Sequence, residues 1–318
     1  MVDRDPSVWQ QSLLIAVVAA AIGFIAGYGL PVVRSVKQSI FIPITLPVRQ
    51  QHREPNTSKE KALIAQQDEA YKKVIARLAE QERVKRLNLP VPVQFQGKTI
   101  RDVQLNSQDK AIAQVSPEKP IALTFDDGPW PNSTSQVLDV LKKSNVKATF
   151  FMVGMQVQKY PQLLKQVVAN GHAIGNHTWS HQYYQYNESA AAREIDRTAE
   201  IVYKTTGVKT SLFRPPAGIL NNGLVTYAHE EKYAVVMWSV DSKDWRSRRT
   251  TTQAFIDNVL KEAKPGGIVL LHDGGGDRSN TVQALPQLIA QLKKQGYKFV
   301  TVPELLEIAD KKLKESKG

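Results

Sequence analysis

Hydrophobic and polar positions change rhythm three times along this chain. Residues 12–33, "SLLIAVVAAAIGFIAGYGLPVV", are apolar on every face, and no Asp, Glu, Lys or Arg occurs from Pro6 to Val33. A hydrocarbon core needs about 20 such residues, so the stretch predicts a transmembrane helix. A cleaved signal peptide is the rival, but the leading "MVDRDPSVWQQ" has no net positive charge and no small-x-small cleavage site follows. Residues 34–57 hold three prolines and no period, the mark of a linker. Helical spacing then sets in over 58–87, with Ser58 as the N-cap and apolar residues at 63, 64, 71, 74, 75 and 78. It predicts one amphipathic helix, a stalk, dimer contact or flap. Residues 89–115 read as a short strand pair leading into the body.

From residue 119 the pattern alternates between short apolar runs and amphipathic stretches. Strands are expected at 121–125, 148–153, 172–176, 211–214, 233–240, 267–272 and 298–302, and helices at 134–144, 159–170, 188–206, 252–263 and 279–295. Such βαβ alternation implies a parallel sheet covered by helices, either open or closed as a barrel. Nearly every strand ends in a polar residue: Asp126 and Asp127, His177, Arg214, Asp241, His272. A barrel gathers these ends at one mouth, whereas an open sheet strings them along a line. The expected fold is therefore a distorted, incomplete (β/α) barrel of about seven strands. The chain is expected to divide into a membrane segment (1–33), linker and helix (34–90), strand pair (91–118) and main body (119–318).

Charge alters this picture little. The 42 Lys+Arg exceed the 30 Asp+Glu by 12, an excess spread evenly on either side of residue 115. It suits an anionic surface, but no basic stripe with interleaved aromatics occurs, so nucleic acid is not an expected partner. The absence of cysteine excludes a disulfide scaffold, a cysteine nucleophile and any cysteine metal site.

The candidate chemistry sits at the strand ends. In "NHTWSH" His177 and His181 stand four residues apart, which brings both imidazoles to one face, a spacing suited to a divalent metal. A carboxylate is the natural third ligand and leaves positions open for water and substrate. Asp126 and Asp127 lie side by side at a strand end before Gly128-Pro129. A turn needs only one of them. Neighbouring side chains there diverge, so one can bind the metal while the other takes a proton from water.

The motifs "TFDDG" (124–128), "HTWSH" (177–181), "RPPAG" (214–218), "DSKDW" (241–245) and "LLH" (270–272), in this order, resemble those of the polysaccharide deacetylases, the carbohydrate esterase family four or NodB-homology domain. The resemblance covers residues 119 to 305 and implies a distorted (β/α) barrel. It implies that Asp127, His177 and His181 ligate a divalent metal, most often Zn2+, and that Asp126 is the general base, paired with Arg214. His272 would be the general acid, oriented by Asp241, and a backbone N–H next to Pro216 would help to hold the oxyanion. The implied reaction is hydrolysis of an N-acetyl group on an amino-sugar polymer with release of acetate. The family's usual aromatic after the second proline of "RPP" is Ala217 here, which removes one wall of the sugar groove. Trp130, Trp179 and Trp245 are available to stack on sugars, with Leu270 beside them.

Two other readings stay open, hydrolysis of a different non-peptide amide and silent binding to the envelope. A peptidoglycan or chitin-like substrate puts the body outside the cytoplasmic membrane on a single-pass anchor. Arg34, Lys37 and Arg49 after the span point the other way, but long domains translocate largely regardless of flanking charge.

Overall fold

The computed structural model describes residues 58–105, 119–246 and 251–315. The expected membrane segment and linker lie outside them, and among the described residues no helix is long and apolar enough to cross a membrane. Leu63–Gly318 forms one compact unit. Helix α1 (Ser58–Leu87) forms over the expected range. Of its apolar stripe, however, Tyr71, Val74, Ile75 and Leu78 are exposed.

Among the described residues nine strands build one all-parallel sheet: β1 (Thr99–Ile100), β2 (Lys119–Asp126), β3 (Thr149–Met152), β4 (Ala173–Asn176), β5 (Leu212–Phe213), β6 (Ala234–Val236), β7 (Val240–Asp241), β8 (Gly267–His272) and β9 (Tyr297–Phe299). The order is β1-β6-β5-β4-β3-β2-β8-β7, with β9 added to β2. Between them lie α2 (Ser133–Lys143), α3 (Gly154–Lys159), α4 (Pro161–Ala169), α5 (Glu188–Thr206), α6 (Leu224–Glu230), α7 (Thr252–Glu262), α8 (Ser279–Lys294) and α9 (Val302–Glu315).

The connection from β6 to β7 decides between barrel and open sheet. The two strands are six steps apart in the sheet order, which in a flat sheet is about 29 Å at the usual ~4.8 Å spacing. Only Met237, Trp238 and Ser239 join them, and four residue steps reach at most about 14 Å. The sheet must curl until its ends meet. The linking residues bond to both ends: Met237 N–H donates to Ile100 O at 2.7 Å and Ser239 N–H to Ile268 O at 3.1 Å. The run 233–240, expected as one strand, is thus two strands on opposite sides of the seam. Of the strand pair expected before the body, the described residues hold one short strand, β1, parallel to β6.

Alternation along the strands sorts side chains between two cores. Ile121, Leu123 and Phe125 of β2 and Val269 and Leu271 of β8 face outward into a cluster with α2, α4, α7 and α8. Ala122 and Ile268 point the other way, into a second cluster with Phe151, Leu212, Val236 and the apolar face of α9. The second face of β2 therefore reads Ala122, Thr124, Asp126 towards its C-terminal end, and that of β8 reads Ile268, Leu270, His272. Apolar residues fill the floor and ionisable ones meet at the mouth. Register fixes the level of each: Asp126 pairs with His272 on one side and with Phe151 on the other, while Asn176 is level with Phe213. His177 and Arg214, the next residues, emerge side by side.

Candidate active site

Backbone turns aim the side chains that leave the strand ends. Asp126 is the last strand residue of β2, and Asp127 turns into the left-handed region at φ 73°. The two adjacent carboxylates consequently part company. Asp126, buried, meets Arg214, while Asp127 meets the histidines. Thr178 and His181 also take left-handed φ values of 66° and 56°. These turns fold the loop so that the His177 and His181 rings lie 4.8 Å apart. Non-glycine residues there cost on the order of 1–2 kcal/mol each, a strain that clusters at functional sites.

Asp127 Oδ1 stands 3.0 Å from His181 Nε2 and 3.5 Å from His177 Nε2. Donors about 2.1 Å from one tetrahedral ion are about 3.4 Å from each other, so the trio fits zinc-like coordination. Asp127 Oδ1 is buried without a hydrogen-bond partner, as a ligand oxygen would be before its ion binds. The His177 Nδ1–H donates to Arg214 O at 2.7 Å, which leaves Nε2 for a cation. Burial raises the Asp127 pKa, but the facing imidazoles of His177 and His181, with charge from His177 and His272, outweigh it and hold the carboxyl well below the usual range. Gly275 lies so close that any Cβ there would collide with Asp127 Oδ2, and Arg278 Nη2 is 3.8 Å from that oxygen.

Arg214 is fully buried. Its Nη1 donates to Asp126 Oδ1 and to Thr124 Oγ1, each at 2.8 Å, Nε to Val236 O at 2.8 Å and Nη2 to Met237 O at 3.0 Å. The guanidinium also packs over the Phe151 ring at 4.1 Å. It thereby occupies Oδ1 of Asp126 and leaves Oδ2 on the histidine side, 3.8 Å from His177 Nε2.

His272 corrects one expectation. Its ring partner is Asp244, whose Oδ1 lies 2.7 Å from Nδ1 and whose Oδ2 accepts from the His272 N–H at 2.8 Å and from Thr281 Oγ1 at 2.9 Å. Asp241 cannot reach, because register places it beside Leu270, two residues below His272. Its carboxylate instead accepts from the Lys243 N–H at 2.8 Å. After β7 the chain makes a 3₁₀ turn, Asp244–Arg246, which carries Asp244 up to the level of the imidazole. Burial pulls the His272 pKa down, but the Asp244 charge and hydrogen bond, helped by Asp127 and Asp126, push it up to about 9. A proton therefore resides on His272 at neutral pH.

Asp126, Asp127, His177, His181 and His272 open together on a cleft of about 370 Å³. Leu270, Trp245 and Ala217 line it as expected groove residues, and Asp241 lines it as well. Pro216 is buried, with Pro215 and Gly218 lining the cleft in its place. Trp130 and Trp179 are absent from the lining. The Trp179 ring is buried, with Arg197 stacked on it at 3.6 Å, and the half-buried Trp130 donates its backbone N–H to Thr134. Tyr183, Trp238, Gly275 and Arg278 line the cleft without having been singled out. The run "YAVVMWSV" hid Trp238, which reaches the mouth only because the strand breaks there. The glycine run after His272 was the one signal that its loop folds back over the site.

The polysaccharide deacetylase family model matches residues 113–236. The peptidoglycan-N-acetylglucosamine deacetylase of Bacillus cereus is 49% identical over 192 residues, which are 59% of this chain and 89% of that protein. The peptidoglycan-N-acetylmuramic acid deacetylase PdaC of Bacillus subtilis is 39% identical over 63% of this chain, but only 41% of its own length is spanned. Among solved structures, the Bc1960 peptidoglycan N-acetylglucosamine deacetylase superposes with a TM-score of 0.59 at 36% identity, over 67% of this chain and 94% of that one. BA3943 of Bacillus anthracis, a pseudoenzyme of carbohydrate esterase family four, gives 0.58 at 28% identity, over 66% of this chain and 69% of that one.

Proposed function

Because this chain belongs to the polysaccharide deacetylases, we propose that it is a metal-dependent hydrolase that removes N-acetyl groups from glucosamine units of peptidoglycan. Water and the amide become acetate and a free amino sugar. The observation that carries this reading is the pairing of two complete sets at one mouth: the ligand trio Asp127, His177 and His181 beside Asp126, and His272 held by Asp244. A silent binding protein would need neither.

A divalent ion held by the trio, zinc by the chemistry of its donors, supplies Lewis acidity towards the amide carbonyl. The chain's own groups handle the protons. Asp126 Oδ2 is the base that accepts a proton from the attacking water, and Arg214 fixes the other oxygen so that Oδ2 alone is offered. His272, protonated at neutral pH, gives its proton to the departing nitrogen, and Asp244 keeps the imidazole in the orientation that leaves Nε2 towards the cleft. The Ala217 N–H, next to Pro216, is the backbone donor for the developing oxyanion. The substrate supports a body outside the cytoplasmic membrane with residues 12–33 as its anchor, which protease accessibility on spheroplasts tests.

Acetate release from N-acetylglucosamine oligomers and from peptidoglycan, measured before and after chelation and again after zinc is restored, tests the enzymatic reading. Activity that follows the metal is expected. Full activity in the chelated protein would overturn metal dependence, and no acetate from any zinc-loaded sample would overturn the deacetylase assignment.

A further inference from the structure

The two histidines of the ligand trio are held from behind in different ways. His177 donates its Nδ1–H to a buried main-chain carbonyl. His181 turns its Nε2 into the ligand trio, so with an ion on Nε2 the hydrogen sits on Nδ1, and the group facing Nδ1 is the Tyr183 hydroxyl at 3.3 Å. The Tyr183 ring also meets the His181 ring edge-on, with centroids 5.3 Å apart and planes at 74°. Yet Tyr183 is 58% exposed and lines the cleft.

An aromatic side chain held at a cleft mouth offers a flat apolar face to an occupant of the cleft. Two features identify that occupant as the sugar. On the Arg214 side of the mouth Ala217 offers only a methyl group, in a left-handed turn at φ 52°, with Trp238 set back against Gly218 and Arg214. Trp245, 47% exposed, follows the residue that holds His272 and so belongs to the acid side. Tyr183 is the aromatic surface on the side of the metal ligands. Its ring suits the C–H face of a pyranose, while its hydroxyl is already engaged by His181.

We propose that Tyr183 joins the sugar groove to the metal centre: its ring is the groove wall that Ala217 does not supply, and its hydroxyl orients His181 as a ligand. The groove part rests on the deacetylase reading above, whereas the His181 part does not. Tyr183 is a specificity-determining residue through its ring and a positioning residue through its oxygen.

Two substitutions in the full chain separate these roles. Y183F keeps the ring and removes the acceptor, and Y183A removes both. Zinc affinity, measured by competition with a chromophoric chelator, should weaken about tenfold in each, the lower end of the 10–100-fold typical for outer ligand partners, since water can replace an exposed hydroxyl. KM for an N-acetylglucosamine pentamer should rise about tenfold in Y183A, on the scale of one lost aromatic contact, and stay within about twofold in Y183F. Zinc affinity in Y183F equal to that of the unaltered chain would overturn the His181 role. A KM for Y183A equal to that of the unaltered chain would overturn the groove role. If the unaltered, zinc-loaded chain released no acetate, the deacetylase reading itself would fail, and the zinc titration would still judge the hydroxyl.

Discussion

Replacing Asp244 with Asn should cripple the acid step, while the same change at Asp241 should not. His272 sits at about 9 against an ordinary 6.5, a difference of roughly 3–4 kcal/mol in favour of the imidazolium. At pH 7 about 99% of it carries the proton. In D244N burial, the strongest single influence, still pulls the pKa down, and only the more remote Asp127 and Asp126 oppose it. A fall to 6.5 or below leaves about a quarter or less protonated at pH 7. The ring also loses the charge that orients it. Together these should lower kcat at pH 7 by about 10²–10³-fold, within the usual range for general acid catalysis. The alkaline limb of the pH profile should move to lower pH by more than one pH unit. A bound dication shifts that limb down in variant and parent alike, so the difference between them is the quantity to read. D241N, whose carboxylate serves the Lys243 turn, should stay within about fivefold with the limb in place. Acetate release from pH 5 to 10, with thermal unfolding to show that both variants fold, is the assay. A D244N variant that keeps the parental limb, or a D241N variant that loses it, would refute the assignment.

D126N should retain zinc and lose about 10²–10⁴-fold in kcat, because an amide cannot accept the water proton, whereas D127N should lose zinc; metal analysis of both variants checks this, and the reverse pattern would exchange their roles. Asp273 is fully buried, its Oδ1 has no partner, and burial, with help from Asp127 and Asp126, raises its pKa from 3.8 to about 7. Its folded value lies above its unfolded one, so its contribution is fully present below about pH 4 and is lost as pH rises towards 7, to a total of roughly 4 kcal/mol. In the chelated protein D273N should therefore be more stable than the parent at pH 8 but not at pH 4, as urea unfolding at the two values will show; equal stability at pH 8 would count against a costly buried charge.

The sequence revealed which residues do chemistry more readily than it revealed which of them touch. Polar residues at the ends of apolar runs announced Asp126, Asp127, His177, Arg214 and His272, because a buried parallel strand has no other reason to end in an ionisable group. Asp244 was hidden in plain view within "DSKDW". Choosing between its two aspartates requires the register of β7 on β8, and register depends on partners far away in the chain. Trp179 and Trp245 look alike as candidates for stacking, yet one is buried under Arg197 and the other is nearly half exposed. The helices α3, α6 and α9 were missed: the first two have 6 and 7 residues, too short for a period to declare itself, and α9 follows so closely on β9 that the two read as one tail.

Arg214 carries a consequence for how this enzyme can change over time. Its guanidinium stitches β2 to the Val236–Met237 carbonyls at the seam of the barrel, and Asp126 is its counter-charge. Removing one partner of such a buried pair typically costs about 3–5 kcal/mol, a large part of a domain's stability. The proposed general base is therefore also a structural member, and a lineage cannot discard it as cheaply as the more exposed Asp127 or His181. A copy drifting away from catalysis should lose its metal ligands first and keep the Asp126–Arg214 pair as a fossil of the reaction it no longer performs.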